Sequence, residues 1–250
     1  MKILLSGCNG GMGQVLQGVI SNESDMVVAA GFDRLTNENT SFPVYTHLSD
    51  CTEDIDVIID FSHYSTFEPI LTFALEKKIP LVMATTGLTS ENENALRRVS
   101  KNIPVFRTAN MSVGINVLLD LVAQAAKQLK EFDIEIVEKH HNKKADSPSG
   151  TALMFAQEIN AALNDNLNFT YGREGKSTKR TEHELGIHAI RGGTISGEHT
   201  VIYAGEDEII EIKHTATSKK VFAKGAVKAA RYIADKKNGF YDMRKILNQD

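Results

Sequence analysis

The 250-residue sequence contains two cysteines, five prolines and no tryptophan. Cys8 and Cys51 are too few for a disulfide framework and show no metal-ligand spacing, so the expectation is two reduced thiols and no metal. No window approaches the roughly 18 consecutive apolar residues of a membrane span. The opening run Met1-Lys2-Ile3-Leu4-Leu5-Ser6-Gly7 is too short in its apolar part for a signal peptide. A charge imbalance is missing too. The 28 basic and 32 acidic side chains leave −4, which gives no whole-chain attraction to nucleic acid or anionic membrane. Low-complexity tracts and internal repeats are absent. What remains is a globular protein, expected in the cytoplasm, of one large domain or two modest ones. Any anion it binds must be met by a local cluster.

The first hundred residues alternate between two periods. Ile3-Leu4-Leu5, Val27-Val28-Ala29-Ala30, Val57-Ile58-Ile59, Leu81-Val82-Met83 and Pro104-Val105-Phe106 are short unbroken apolar runs, which suit parallel strands buried on both faces. Helical patterns lie between them: Val15, Leu16, Val19 and Ile20, then Phe67, Ile70, Leu71, Ala74 and Leu75. Ser90 with Glu93 predicts a capping box for a third helix. Strands alternating with helices predict a parallel α/β sheet.

After about Met111 the pattern changes. Val113, Val117, Leu118, Leu121, Val122, Ala125 and Leu129 form one face of a long helix. Asp133-Ile134-Glu135-Ile136 alternates as a half-buried strand, and a helix is expected after Pro148. Residues 164–186 read as loop. His199 to Ala204 and Glu208 to His214 read as strands, and a last helix spans about Val221 to Lys236, with Gly239 placed to stop it. On periodicity the second half is α+β and looks antiparallel.

Two segments carry chemistry. Gly7-Cys8-Asn9-Gly10-Gly11-Met12-Gly13 follows the first strand and opens the first helix, where glycines allow a sharp turn and close approach to a pyrophosphate. The second strand ends at Phe32-Asp33-Arg34. An acid there suits a ribose diol and an arginine a 2′-phosphate, which leaves NADH and NADPH both open. A tight structural turn beside a solvated ion pair is the plainer alternative.

The second segment is Glu138-Lys-His-His-Asn-Lys-Lys-Ala-Asp-Ser-Pro-Ser-Gly-Thr151. Tandem imidazoles exchange protons near neutral pH. Lysines attract anions, and a helix start at Ser149-Gly150-Thr151 offers hydroxyl and N–H donors to a carboxylate. An exposed basic loop is the bland alternative. A zinc site is poorer, since nothing completes a tetrahedral set. Ile190-Arg191-Gly192-Gly193 and Gly197-Glu198-His199-Thr200 are candidates to converge on the same place.

Further motifs stand in order along nearly the whole chain: Asp60-Phe61-Ser62, Ala84-Thr85-Thr86-Gly87, Ala109-Asn110-Met111-Ser112-Val113-Gly114 and Gly239-Phe240-Tyr241-Asp242-Met243. With the two segments above, they closely resemble the 4-hydroxy-tetrahydrodipicolinate (dihydrodipicolinate) reductase family of diaminopimelate and lysine biosynthesis. The resemblance implies an N-terminal Rossmann domain, residues 1–111 completed by 221–250, and a central α+β domain, residues 112–220. The central domain would bind substrate and build a homotetramer through an open mixed sheet. The implied reaction reduces a cyclic imine dicarboxylate with NADPH or NADH and releases water.

By position, the resemblance makes His140 the acid/base residue and Lys144 a proton donor. His141, Gly150 and Thr151 match substrate-carboxylate contacts, joined by Ser149 from the helix-start reading. Cofactor contacts are implied for Gly7, Cys8, Asn9, Gly10, Gly11, Met12, Asp33, Arg34, Ala84, Thr85, Thr86, Thr108, Ala109, Asn110 and Met111. Many members carry Arg where Gly11 stands, which removes one phosphate contact and predicts that NADH works at least comparably with NADPH. Two alternatives remain from other classes: a non-catalytic NAD(H)-sensing regulator and an amino-acid dehydrogenase of similar build.

Overall fold

The computed structural model describes residues 1–176 and 179–248. The chain divides into two compact units, residues 1–113 with 219–250, and residues 114–218.

The first unit begins with β1 (Lys2–Ser6), α1 (Gly11–Ile20), β2 (Val27–Phe32), β3 (Val44–Tyr45), β4 (Val57–Asp60), α2 (Phe67–Lys77), β5 (Leu81–Met83), α3 (Ser90–Val99) and β6 (Pro104–Arg107). The helix α4 (Val113–Gln128) leads into the second unit, which holds β7 (Asp133–His140), α5 (Gly150–Ala162), β8 (Asn168–Tyr171), β9 (Glu184–Arg191), β10 (Glu198–Ala204) and β11 (Ile209–Thr215). The chain then returns with α6 (Lys220–Ala234), β12 (Gly239–Tyr241) and α7 (Met243–Leu247).

The returning segment completes a seven-stranded sheet in the order β12-β6-β5-β4-β1-β2-β3. Every pairing in it is parallel. Its apolar runs are unbroken because both faces are covered. Ile3, Leu5, Ile59, Val82 and Phe106 point into a core shared with α1 and α6. Leu4, Ile58, Leu81, Met83 and Val105 point the other way, into a core shared with α2 and α3. The strand order reverses at β1, between β2 and β4, which is the switch point where open α/β sheets bind ligands beyond the carboxyl ends of their strands.

In the second unit the order is β11-β10-β7-β9-β8. β10 runs antiparallel to β7 and β11, while β9 runs parallel to β7 and β8. The sheet is therefore mixed, and the antiparallel reading from periodicity is corrected. Residues 164–186 are not all loop either, since they hold β8 and the start of β9. Asn168-Phe169-Thr170-Tyr171 is too short for its alternation to stand out, and its pairing with β9 is what makes it a strand. The capping box falls one residue early: Thr89 accepts from the Asn92 N–H and Asn92 accepts from the Thr89 N–H. Gly239 does not stop α6, which ends at Ala234; it opens β12.

One consequence of alternation matters most for the site. On β7, Ile134 and Ile136 face the core built with α4 and α5. Period-two geometry then carries Glu138 and His140 to the same buried face, where each is less than 9 % exposed. Polar groups so placed need internal partners.

Candidate active site

All the residues expected to touch a dinucleotide lie at or just beyond the carboxyl ends of strands in the first unit. Gly7 has φ +77° and Gly10 follows it. A Cβ on Gly7 would stand 2.6 Å from the Phe61 carbonyl oxygen, and one on Gly13 would stand 2.2 Å from the Gly7 carbonyl oxygen. Only bare backbone fits this turn. Beyond it lies a cavity of about 300 Å³, lined by Gly7, Gly10, Asp33, Arg34, Phe61, Ser62, His63 and Thr66 among others.

Asp33 holds the turn: its carboxylate accepts from the Asn9 N–H at 2.9 Å and the Arg34 N–H at 2.8 Å. A carboxylate has acceptor capacity left for a ribose diol. The Arg34 guanidinium donates to Ser65 Oγ at 3.1 Å. Donor, acceptor and glycine cradle together fit an adenosine pyrophosphate, so the site suits the dinucleotide expected of it.

Three of the expected cofactor residues turn their side chains inward. Cys8 is fully buried, and burial, then the Asp33 charge, pushes its thiol up to about 11. Thr85 is buried with its hydroxyl donated to Asp60 Oδ2 at 2.7 Å. Met111 is a core residue, and its carbonyl lies where a Cβ on Gly225 would be. Only the backbone of these three can serve a ligand. Gly11, Thr86 and Ala109 are exposed, while Asn9, Met12, Thr108 and Asn110 are half-buried and Ala84 is buried.

Two supports escaped sequence reading. Asp60 is wholly buried and receives Ser62 Oγ at 2.5 Å and Thr85 Oγ1, tying together the loops after β4 and β5. Burial pushes its carboxyl up, against the bonds from Ser62 and Thr85. Arg107 binds Glu93 through Nε and Nη2 and donates Nη1 to the Thr85 carbonyl at 2.9 Å. Both residues fix the Ala84-Thr85-Thr86 loop by contacts remote in sequence.

The second unit gathers the proton-bearing groups around the carboxyl end of β7. Glu138 Oε2 accepts from His140 Nδ1 at 2.6 Å and from Arg191 Nη1 at 2.8 Å. Its Oε1 accepts from Arg191 Nη2 at 2.7 Å and from the Ser149 N–H at 2.9 Å. Burial pushes Glu138 up, yet Arg191, His140 and the Ser149 N–H outweigh it and hold the carboxyl below its usual range. Strand pairing delivers these partners: His140 lies opposite Arg191, and Glu138 opposite His199. The Arg191-Gly192-Gly193 and Gly197-Glu198-His199-Thr200 pieces therefore do converge here, although the arginine fork is occupied by Glu138.

Ser149 caps α5, accepting from the Ala152 N–H at 3.2 Å, and its Oγ meets His199 Nε2 at 3.0 Å. Ser149 is buried, so its hydroxyl is committed inside the protein rather than offered to a ligand. Burial, then the charge on His140, depresses His199 to about 3. It stays neutral and packs edge-on against His140, with ring centroids 5.1 Å apart. His140 is itself lowered by burial, which Glu138 opposes and Lys144 and Arg191 reinforce.

Lys144 Nζ lies 2.8 Å from Asp146 Oδ1. Burial raises Asp146, but Lys144 and the N–H of Gly150 hold it below its ordinary value. A carboxylate thus already lies between Lys144 and the first N–H of α5, the place sequence reading assigned to an anion. His141 and Thr151 are half-buried nearby in sequence, Gly150 is exposed, and Lys143 is exposed. Among the described residues, no group of three or more His, Cys, Asp or Glu could hold a metal ion, and no helix is long and apolar enough to cross a membrane.

Residues 1–111 match the family profile described as dihydrodipicolinate reductase, N-terminus, and residues 114–247 match its C-terminus counterpart. This chain belongs to the dihydrodipicolinate reductase family. Curated 4-hydroxy-tetrahydrodipicolinate reductases of Clostridium tetani and Caldanaerobacter subterraneus are each 48% identical to it. They align over 99% and 100% of this chain and 97% and 99% of their own lengths. Among solved structures, a dipicolinate-bound dihydrodipicolinate reductase from Paenisporosarcina sp. TG-14 superposes with TM-score 0.80 at 21% identity, covering 97% of both chains. A DAP dehydrogenase of C. glutamicum in complex with DAP follows at TM-score 0.59 and 13% identity, covering 100% of this chain and 96% of that one. Those two likenesses speak for the fold. Membership of the dihydrodipicolinate reductase family rests on the profile matches and the full-length relatives, and it leaves no place for the regulator or amino-acid dehydrogenase readings.

Proposed function

We propose that this chain reduces 4-hydroxy-2,3,4,5-tetrahydrodipicolinate to 2,3,4,5-tetrahydrodipicolinate with NADPH or NADH, releasing water, in diaminopimelate and lysine biosynthesis. The observation that carries the reading is the Glu138-held His140 beside Lys144 and the start of α5, a proton donor and an anion site built together. When bound, the dinucleotide supplies the hydride.

The chain's own residues do the rest. Gly7 to Met12 admit the pyrophosphate, Asp33 accepts from the ribose, and Arg34 faces a 2′-phosphate when one is present. The Ala84-Thr85-Thr86 and Thr108 to Met111 loops offer backbone groups to the remainder of the cofactor. His141, Gly150 and Thr151 bind the substrate carboxylates, and a substrate carboxylate takes the donors that Asp146 holds in its absence. Ser149 contributes by capping the helix that presents those donors. Electrons pushed onto the imine by hydride addition are met by Lys144 and by a proton from His140, groups that favour the charge developing in the transition state.

The enzyme works as a homotetramer in the cytoplasm, in this reading. In that reading the subunits meet through the outer face of the second sheet. There Arg173 grips Glu135 at 2.8 and 3.0 Å, with His188 at 2.7 Å, over Gly186, where any Cβ would collide with the Glu135 carboxylate. The test is oxidation of NADPH or NADH dependent on the imine generated in situ from pyruvate and aspartate semialdehyde. Imine-dependent oxidation is expected. Cofactor binding without turnover on that imine refutes the reductase reading.

A further inference from the structure

We propose that Glu138 is the positioning residue of His140: its carboxylate holds the Nδ1 proton, which makes Nε2 the atom that exchanges protons with the substrate. The inference rests on the reading of His140 as the acid and goes beyond it by assigning the atom and the residue that selects it. An ionised carboxylate only accepts hydrogen bonds. The 2.6 Å contact between Glu138 Oε2 and His140 Nδ1 therefore requires the proton on Nδ1, and neutral His140 presents a bare Nε2. That nitrogen faces Gly197. With φ +155°, a Cβ on Gly197 would stand 3.1 Å from Nε2, so any side chain at that position would crowd the working nitrogen.

Glu138 cannot turn away to do anything else. It has no exposed surface, and both oxygens are fixed by Arg191 and the Ser149 N–H as well as by His140. The charged and titratable groups around His140 are Glu138 on its own strand, Lys144 in the following loop, Arg191 at the end of β9 and His199 on β10. Glu138 is the only one of these four that favours the imidazolium, because Lys144 and Arg191 are cations and His199 stays neutral. Glu138 is thus the one group that favours the proton-donating form of His140, against burial and two positive charges that together still hold the imidazole below its ordinary value.

The experiment measures the pH dependence of kcat for Glu138→Gln, Glu138→Asp, Arg191→Met, the double variant Glu138→Gln with Arg191→Met, and His140→Gln. Removing the carboxylate should move the limb on which kcat falls with rising pH to lower pH by about 1–3 units, the size of a close charge effect on a pKa. The KM for dinucleotide should not change. Glu138→Asp keeps the charge, so its limb should stay near that of the wild type even where kcat drops. The double variant removes the buried pair whole, so it tests the role even where Glu138→Gln fails to fold; because Arg191 itself lowers His140, its reference is Arg191→Met alone.

A limb shifted to lower pH in Glu138→Gln, or in the double variant relative to Arg191→Met alone, supports the positioning role, whereas unshifted limbs in both comparisons show Glu138 to be structural and overturn the proposal. His140→Gln separates the two readings. If it turns over normally, the acid assignment itself fails. If it is inactive while the Glu138 variants keep the wild-type profile, only the positioning role fails.

Discussion

Lys144 Nζ and the Asp146 carboxylate stand 2.8 Å apart in the loop between β7 and α5, and the same carboxylate takes the Gly150 N–H. The protein therefore holds an internal carboxylate against the two donors assigned to the substrate. Changing Lys144 to Ala removes a cation from that place, and changing His140 to Gln removes the acid. Each should lower kcat by about 10²–10⁴-fold, with dinucleotide affinity, measured by fluorescence titration, unaltered. Normal turnover in both variants contradicts their roles.

The glycine turn gives an internal contrast. Gly13→Ala places a Cβ 2.2 Å from the Gly7 carbonyl oxygen, a backbone atom that cannot step aside. A stability loss of about 1–3 kcal/mol is expected, with weakened dinucleotide binding. At Gly11 the nearest atom to a new Cβ is the end of the Lys219 side chain, 3.9 Å away. Gly11→Ala should leave binding intact and change stability by no more than about 1 kcal/mol, in the favourable direction. Denaturant melts and cofactor titrations of the pair check both.

Cofactor choice turns on Asp33 and Arg34. Arg34 is the cation placed for a 2′-phosphate, and no second arginine stands at position 11. NADH should support a kcat/KM at least comparable with that of NADPH. Arg34→Ala should raise the KM for NADPH by roughly 10-fold, the loss of one charge-assisted contact, and spare NADH. A hundredfold preference of the wild type for NADPH contradicts this account.

His199 ties stability to pH. Its folded-state value of about 3 lies below the ordinary 6.5, so in this window the unfolded chain binds the extra proton. The stabilisation is complete above pH 6.5 and is lost as pH falls from there toward 3. His140 and His214 are lowered by burial too and act in the same sense. Between its two values His199 contributes a slope of up to about 1.4 kcal/mol per pH unit. Glu138 and Asp146 add their own losses only below the ordinary carboxylate range. Between pH 6.5 and 5, His199→Gln should reduce the slope of unfolding free energy against pH by one proton. An unchanged slope shows that His199 is not held neutral.

Much of the frame was legible in the sequence because it is local. The unbroken runs around Ile3, Val57 and Leu81 mark buried parallel strands, and Gly7 to Gly13 with Asp33 mark the turn and its acid. The histidine–lysine segment and the α5 start are contiguous. What escaped depends on contacts far apart in the chain. Asp60 with Thr85, Arg107 with Glu93, and Glu138 with Arg191 are joined by strand pairing that no period reveals. Alternation along β7 could have signalled Glu138, since it continues the buried register of Ile134 and Ile136, and a charge on that face must have a partner. At Ser149 a helix cap and a ligand contact look alike in sequence. Only its 3.0 Å bond to His199, fifty residues on, separates them.

The central claim is that this chain transfers hydride from a nicotinamide cofactor to the cyclic imine. Mass spectrometry after turnover with NADPH carrying deuterium on the transferable position of the nicotinamide measures it directly. The account predicts one deuterium bound to ring carbon in the tetrahydrodipicolinate product, formed with wild-type protein and lost with His140→Gln. Product without deuterium, or no product while the cofactor binds, would contradict it.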